Sequence, residues 1–244
     1  METSGLALIY VHGGYYEMLD KDSGTRPLFR HLTRQGHVVM DISYRLLDET
    51  DIFGMVDDVK RAVAWMKNKA VGYGVDPERL VLAGASSGGN LALLAGYTAG
   101  HPQLTPDDVA GDTSVRAVVA YYGVHDWPTF YRLSTDDDLA RRLMSGTLED
   151  IPERYELASP AFHVDADTPT TLTVQGLHDQ QHLVNANRNL HRALTDAGVR
   201  AASLELPGTD HAFDLMPPGL GPISPPGISA LYNLERFLAL VAYE

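Results

Sequence analysis

Residues Leu80–Asn90 read Leu-Val-Leu-Ala-Gly-Ala-Ser-Ser-Gly-Gly-Asn. A short apolar run typical of a buried strand leads into a Gly-x-Ser-x-Gly pattern at Gly84–Gly88, and the helix-forming stretch Leu91–Ala95 follows. The pattern alone is weak, since roughly one chain in ten of this composition contains it by chance. Because a strand precedes it and a helix follows it, the stretch predicts a sharp strand-to-helix turn that presents a serine nucleophile at the edge of an α/β sheet.

The spacing selects Ser86 as that nucleophile, because Ser86 lies between Gly84 and Gly88, whereas Ser87 would need a glycine where Ala85 stands. The N-terminus of the following helix adds positive potential where an oxyanion would form. A glycine-rich helix entry that packs closely or binds phosphate is the alternative interpretation. The stretch lacks the spacing of a dinucleotide fingerprint and the lysine of a phosphate loop, which disfavours a nucleotide site.

The rest of the chain alternates strand-sized apolar runs with longer helix-like stretches. The predicted strands are Leu6–Val11, His37–Ile42, Leu80–Ala83, Val115–Tyr121, Thr170–Val174 and Ala201–Glu205. The predicted helices are Thr25–Gln35, Phe53–Val71, Ser87–Thr98, His182–Ala197 and Ile228–Ala242. Gly36 and Gly198 follow two of these helices where a left-handed cap is expected. The alternation predicts one α/β domain over residues 1–244, with a mostly parallel sheet of about six strands flanked by helices.

Two stretches depart from this alternation. Residues 125–165 separate the fourth and fifth strands by far more than one crossover needs, so we expect a small helical cap insertion there. Residues 216–227 contain five prolines and three glycines, so we expect a loop stiffened by proline, since proline is excluded from helix and strand interiors. Long loops on a rigid sheet are where sites tend to be built.

Composition excludes several classes of protein and site. The 244 residues include no cysteine, which excludes a disulfide scaffold, an iron–sulfur cluster, a thiolate zinc site and a cysteine nucleophile. The net charge of −13, with no basic run, disfavours a nucleic-acid or anionic-membrane partner. The longest apolar runs are strand-sized, so no membrane span is predicted, and the first residues lack the basic character of a signal peptide. We therefore expect a cytoplasmic protein.

Adjacent glycines end the first predicted strand. In Val11-His12-Gly13-Gly14-Tyr15, the backbone N–H groups of Gly13 and Gly14 can point at a carbonyl oxygen and form an oxyanion hole with the N–H of Ser87. One such donor typically lowers a barrier by ~3 kcal/mol. An ordinary strand-to-loop turn explains the same residues equally well, so this motif depends on the others.

An acid and a histidine follow the last two predicted strands. Asp179 comes just after the fifth strand and His211 just after the sixth. A serine hydrolase needs a base that accepts the hydroxyl proton and an acid that orients this base. The chain order Ser86, Asp179, His211 is the order of this fold, and it places all three residues on loops at one edge of the sheet.

Other residues compete for these roles. Asp126 follows the fourth strand, a position that some hydrolases use for the acid, although we favour Asp179. His178 and His182 are four residues apart and would share a helix face, as two metal ligands do. We find no third ligand for them, so solvated or capping histidines are the preferred interpretation and no metal or organic cofactor is expected.

These motifs resemble those of the hormone-sensitive-lipase-like carboxylesterase group of α/β-hydrolases, over about residues 6–237. His12-Gly13-Gly14 matches the group's His-Gly-Gly-Gly, and Gly84–Asn90 matches its Gly-Asp-Ser-Ala-Gly-Gly-Asn. Further matches are Asp41–Arg45, Tyr73–Pro77 and Ala158–Pro160. The resemblance implies that Ser86 is the nucleophile, His211 the base and Asp179 its partner. It also implies an oxyanion hole formed by Gly13, Gly14 and Ser87.

The sequence departs from the group at three points. Tyr15 replaces the third glycine of the oxyanion motif, which in similar enzymes goes with smaller acyl groups, and Ala85 replaces an aspartate beside the nucleophile. Only five residues precede the first predicted strand, so we expect no counterpart of the group's two leading strands and N-terminal cap in these 244 residues. A minimal six-stranded sheet, a homo-oligomer that covers the exposed surface, or a chain shortened at its N-terminus would each account for this.

The motifs are consistent with three functions. The first is hydrolysis of carboxylic esters with small or medium acyl chains through an acyl-enzyme. The second is hydrolysis of an aryl formamide, because His12–Tyr16 followed by Leu19-Asp20-Lys21 also resembles kynurenine formamidases. The third is a catalytically silent α/β-hydrolase that binds or scaffolds. For either hydrolase we expect a small-molecule substrate and a pocket lined by Tyr15, Trp127 and Phe213, with Tyr16, Phe130 and Met216 as further candidates.

Overall fold

Six parallel strands form a single sheet within residues 3–109, 111–134, 137–214 and 224–243, which are the residues that the computed structural model describes. The strands are β1 (Ala7–Val11), β2 (Val38–Ile42), β3 (Leu80–Ala85), β4 (Ala117–Tyr121), β5 (Thr170–Gly176) and β6 (Ala201–Leu206). Their order is β2-β1-β3-β4-β5-β6, and all five neighbouring pairs are parallel. The predicted sheet is therefore confirmed, with strand ends within two residues of those predicted.

The central strands are apolar along their whole length because both faces of the sheet are covered by helices. In β1, Ala7, Ile9 and Val11 belong to a core cluster on one face, and Leu8 and Tyr10 belong to the cluster on the other face. Alternate side chains point to opposite faces of a strand, so one short strand contributes to both cores.

Helices connect the strands and cover both faces of the sheet. They are α1 (Arg26–Arg34), α2 (Ile52–Lys69), α3 (Ser87–Tyr97), α4 (Trp127–Leu133), α5 (Asp137–Met144), α6 (Pro152–Leu157), α7 (Gln181–Asp196) and α8 (Pro225–Tyr243), with 3₁₀ turns at Ala70–Tyr73 and Pro160–His163. Gly36 and Gly198 follow α1 and α7 with φ of 90° and 77°, the left-handed conformation expected of glycines at these positions.

The last helix begins earlier than the sequence indicated. Helix α8 starts at Pro225 rather than Ile228, because proline is well suited to the first turn of a helix, where its missing N–H has no intrahelical partner. The proline-rich loop predicted for 216–227 was therefore too long at its C-terminal end. Residues 215–223, which include Met216, lie outside the described residues.

The predicted insertion between β4 and β5 is helical, as expected, and contains α4, α5, α6 and the second 3₁₀ turn. Its apolar side chains Trp127, Leu143 and Tyr155 are buried in the core cluster that contains Ile9 and Val11 of β1. The insertion follows the carboxyl end of β4, so it lies beside the edge of the sheet where α/β proteins bind their ligands. Among the described residues, no helix combines the length and the hydropathy that a membrane crossing requires.

Candidate active site

Ser86 occupies a strained turn between β3 and α3. Its φ of 56° and ψ of −119° are rare for a residue with a side chain, and they persist only where the surrounding structure enforces them. The Ser86 N–H donates to the carbonyl of Tyr121 at 2.9 Å, and the N–H groups of Gly89 and Asn90 donate to the Ser86 carbonyl at 3.0 and 3.2 Å. The turn is thus fixed by both β4 and the first turn of α3.

Gly88 is required because strand β1 passes directly beside it. A Cβ atom at position 88 would lie 2.0 Å from the carbonyl oxygen of Val11 and 2.4 Å from that of His12. Both atoms belong to the backbone and cannot move away cheaply. The second glycine of Gly-x-Ser-x-Gly therefore allows helix α3, and with it Ser86, to approach the end of β1.

The three predicted triad residues form a hydrogen-bonded chain. The Nε2 atom of His211 lies 3.0 Å from Ser86 Oγ, and its Nδ1 atom lies 2.8 Å from Asp179 Oδ2. An ionised carboxylate only accepts hydrogen bonds, so Nδ1 carries the proton and Nε2 is free to accept from the serine hydroxyl. This tautomer is the one that a general base at His211 needs.

Asp179 is held in its charged form. Its side chain is only 2% exposed, and this burial by itself would raise the pKa. The hydrogen bond and charge of His211 act in the opposite direction, together with the N–H of Gln180 at 2.7 Å and the side-chain amide of Gln175 at 2.9 Å. The net result is a pKa below the ordinary value, so Asp179 is ionised at neutral pH.

The competing acid has a different role in the structure. Asp126 is the N-cap of α4 and accepts hydrogen bonds from both the backbone N–H and the hydroxyl of Thr129, at 2.8 and 2.7 Å. This capping explains why an aspartate follows β4. Asp179, rather than Asp126, is the carboxylate that bonds to His211.

The two histidines considered as metal ligands do not share a helix face. Helix α7 begins at Gln181, so the exposed His178 precedes it and the spacing to His182 is not helical. The His182 ring instead contacts Phe130 edge-on, with centroids 5.4 Å apart. In the described part of the chain, no group of three or more histidine, aspartate and glutamate residues is arranged to hold a metal ion.

The predicted oxyanion loop follows β1 and lies against Ser86. A Cβ atom at Gly13 would lie 3.4 Å from the Cβ of Ser86, which places this backbone directly beside the serine. The backbone is left-handed at Gly14, Tyr15 and Tyr16, with φ of 118°, 61° and 64°. Two consecutive tyrosines in this conformation are unusual, and such strain is concentrated at functional sites.

Sequence reasoning missed the side chains that support this loop. His12 is buried and stacks on Tyr44 with ring centroids 4.4 Å apart, and its Nδ1 lies 2.6 Å from the Gly13 carbonyl. The Tyr44 hydroxyl lies 3.2 Å from both the His12 carbonyl and Ser87 Oγ. Burial lowers the pKa of His12 and raises that of Tyr44 to about 12, so both are neutral at physiological pH. The Asp41–Arg45 motif was the available signal, since it contains Tyr44.

A second support connects the loop to α3 and to the insertion. The hydroxyl of Tyr16 donates to Asn90 Oδ1 at 3.0 Å, and the amide of Asn90 donates to the carbonyl of Val124 at 2.7 Å. Asn90 is the last residue of the Gly-Gly-Asn sequence in α3 and is fully buried. It therefore links the predicted oxyanion loop, helix α3 and the residue that precedes the insertion.

A cavity of about 500 Å³ opens onto Ser86 and His211, and Tyr15 lines it as expected, as do the further candidates Tyr16 and Phe130. Phe130, Leu139 and Leu183 supply an apolar wall from the insertion and α7. The structure places Trp127 and Phe213 elsewhere. Trp127 is fully buried against Phe130, and Phe213 packs on Tyr121 and Tyr122, so neither is part of the cavity lining that was predicted for it.

Curated relatives are similar over most of this chain. Esterase LipQ of Mycobacterium tuberculosis is 32% identical over 211 residues, which cover 85% of this chain and 50% of the relative. Esterase LipC of the same organism is 34% identical over 214 residues, which cover 86% of this chain and 53% of the relative. The chain thus spans about half the length of these curated relatives.

Solved structures show the same fold. A truncated carbohydrate esterase from gut microbiota superposes with a TM-score of 0.81 at 24% identity, covering 100% of this chain and 88% of the other. A propionate-bound thermophilic esterase from Thermogutta terrifontis gives a TM-score of 0.80 at 22% identity, covering 97% and 83%. At these identities the likeness establishes the α/β-hydrolase fold.

The family model named BD-FAE matches residues 2–194, well over half of the chain. Together with the esterase relatives, this match confirms the classification that the sequence motifs suggested. The chain belongs to the BD-FAE family, among the α/β-hydrolases that resemble hormone-sensitive lipase.

Proposed function

We propose that this chain is a serine hydrolase that cleaves carboxylic esters with small or medium acyl chains. The observation that carries the proposal is the hydrogen-bonded chain Ser86–His211–Asp179, which meets the glycine backbone of the oxyanion loop in one cavity. Relatives named as esterases support it.

The geometry suggests a conventional acyl-enzyme sequence. Ser86 Oγ attacks the ester carbonyl carbon while its proton passes to Nε2 of His211, and Asp179 stabilises the resulting imidazolium. The N–H groups of Gly13, Gly14 and Ser87 donate hydrogen bonds to the developing oxyanion. The C–O bond to the leaving alcohol then breaks, and the alkoxide takes the proton from Nε2.

Deacylation repeats these steps with water as the nucleophile. His211 accepts a proton from a water molecule that attacks the acyl carbon, and it returns this proton to Ser86 Oγ as the carboxylic acid leaves. The proposed steps require no metal or organic cofactor.

The test is hydrolysis of p-nitrophenyl acetate, butyrate and octanoate by the wild type, Ser86→Ala and a control, Ser114→Ala. Ser114 bonds to Asp112 on the surface and does not line the cavity. We expect the short esters to be cleaved by the wild type and the control, and turnover in Ser86→Ala to fall by about 10⁶-fold. Equal rates in the wild type and Ser86→Ala, or no hydrolysis by the wild type, would contradict the proposal. An inactive wild type would instead favour the silent scaffold.

Hydrolysis of an aryl formamide is the second candidate. Tyr15 favours it, because this side chain lines the cavity while remaining 42% exposed, and its ring can stack on an aryl group at the cavity mouth. Comparing kcat/KM for N-formylkynurenine and for p-nitrophenyl butyrate decides between the two, since the preferred substrate class has the larger value.

Three further expectations belong to this proposal. Location in the cytoplasm, one domain over residues 1–244 and homo-oligomerisation all stay predictions from the sequence. Strands β2 and β6 form the edges of the sheet, and an unpaired edge strand favours association with another strand. Sedimentation analysis of the purified chain tests self-association.

A further inference from the structure

Tyr122 contacts the catalytic-histidine loop, residues 211–214, although no motif in the sequence indicated it. Its ring centroid lies 4.4 Å from that of His211, with the two planes at 57°. The same ring meets Phe213 edge-on at 5.4 Å, and the Tyr122 hydroxyl donates a hydrogen bond to Asp214. One side chain therefore contacts three of the four residues of this loop.

Tyr122 is itself fixed to the sheet. It directly follows β4, its N–H donates to the carbonyl of Val174 in β5 at 2.8 Å, and it is only 2% exposed. Its φ of 39° and the φ of 57° at Ala212 are left-handed, and a backbone of this kind persists only where neighbouring contacts hold it. The strained loop thus contacts a strained, buried residue that cannot easily move.

The hydrogen bond between Tyr122 and Asp214 joins a neutral donor to a charged acceptor. Burial raises the pKa of Tyr122, and the negative charge of Asp214 raises it further, so the phenol keeps its proton at any pH where a histidine base works. A hydrogen bond from a neutral donor to a carboxylate is stronger than one between two neutral groups, and this bond is partly buried. This bond is suited to holding a loop in one position.

We propose that Tyr122, through its bond to Asp214, is a positioning residue for His211, an inference that rests on the proposed function. The pair holds the loop so that Nε2 stays at the 3.0 Å that separates it from Ser86 Oγ. A general base must be within hydrogen-bond reach of the proton that it accepts, and small displacements are costly. The hydroxyl of Tyr122 thus contributes to turnover, while its ring lines the cavity.

The test compares Tyr122→Phe, Asp214→Asn and the double variant with the wild type. Each single change lowers kcat for p-nitrophenyl butyrate by about tenfold or more through misplacement of the base, and KM stays within about twofold because the ring remains. The kcat of the double variant is no lower than that of the less active single variant, because both changes break the same hydrogen bond. Additive losses, or a kcat of Tyr122→Phe within twofold of the wild type, overturn the inference.

The matched control is Tyr155→Phe, which removes a buried tyrosine hydroxyl that donates to the Gly146 carbonyl at 2.9 Å in the insertion. This control keeps wild-type kcat if the effect belongs to the His211 loop. An equal loss of kcat in Tyr155→Phe assigns the effect to general destabilisation and overturns the inference.

Hydrogen exchange provides a readout that does not depend on turnover. Backbone N–H groups of the peptide containing residues 211–214 exchange faster in Tyr122→Phe and Asp214→Asn than in the wild type and Tyr155→Phe. Unchanged exchange in both variants overturns the anchoring. If the wild type cleaves no ester, the proposed function fails while the exchange experiment still decides whether Tyr122 holds the loop.

Discussion

The strain at Ser86 predicts that this residue reduces the stability of the fold. At φ 56° and ψ −119°, the Cβ atom is unfavourable and glycine is the residue best suited to the turn. Residues held in such regions cost on the order of 1–3 kcal/mol. Replacing Ser86 by glycine removes this cost but adds about 0.5–1 kcal/mol of backbone entropy lost on folding. We therefore expect Ser86→Gly to be more stable than Ser86→Ala by about 1 kcal/mol.

Comparison of glycine with alanine isolates the backbone contribution. Both variants lose the serine hydroxyl and its hydrogen bond to His211, and both lose the nucleophile of the proposed hydrolysis, so they differ only in the Cβ atom. The assay is reversible unfolding in urea or by heat, in which about 1 kcal/mol corresponds to ~2–4 °C in Tm for a chain of this size.

The neighbouring serine provides the control. Ser87 is the first residue of helix α3. A glycine in a helix makes it less stable than an alanine does, by about 0.5–1 kcal/mol. Ser87→Gly is therefore expected to be less stable than Ser87→Ala, the opposite sign to position 86. If Ser86→Gly unfolds at or below the temperature of Ser86→Ala, the turn stores no strain and our reading of this backbone is refuted.

Three other changes follow from the structure. Gly88→Ala places a Cβ atom against the backbone carbonyl of Val11, so we expect the free energy of unfolding in urea to fall by about 2 kcal/mol or more. The control Gly72→Ala is expected to be neutral or slightly stabilising, because a Cβ atom there meets nothing within 4 Å. Equal effects of the two changes would contradict the close approach at Gly88. Asp179→Asn is expected to lower kcat by about 10⁴-fold, because the asparagine no longer holds His211 in the tautomer that a general base needs. Asp126→Ala is expected to cost only about 1 kcal/mol of stability through loss of the helix cap, and to keep most activity. The reverse pattern in ester hydrolysis would make Asp126 the acid. Burial lowers the pKa of His125 to about 4, so on acidification the unfolded state binds the extra proton before the folded state does. The free energy of unfolding therefore falls as the pH drops from about 6.5 to 4, by up to about 3 kcal/mol. Urea unfolding of His125→Gln is expected to show a smaller loss over this range, and a loss identical to that of the wild type would assign the effect to other groups.

Local sequence was sufficient to predict most of the backbone. Buried parallel strands must be apolar on both faces, so β1, β3 and β4 appear as continuous apolar runs that alternate with helical patterns. The start of α8 was predicted less well. The prolines before Ile228 indicated a loop, although the first turn of a helix accepts proline.

The lining of the cavity was harder to predict than the contact among Ser86, His211 and Asp179. Tyr15, Trp127 and Phe213 are all aromatic and all follow strands, yet only Tyr15 lines the cavity. Whether an aromatic ring faces a cavity or the core depends on residues distant in sequence, such as Tyr16, whose ring contacts that of Trp127. Composition and spacing carry no information on that packing.

The sequence by itself determined the fold class, the position of Ser86 on its turn and the placement of Asp179 and His211 after the last two strands. These features depend on short-range patterns and on the rule that parallel strands end at one edge of the sheet. Only the tertiary structure decided which acid meets His211, since Asp126 and Asp179 both follow strands and differ in whether a helix cap engages them. It likewise decided the support given by Tyr44, Asn90 and Tyr122, which are distant along the chain from the loops that they hold. Burial and hydrogen bonding between such residues arise only when the chain has folded.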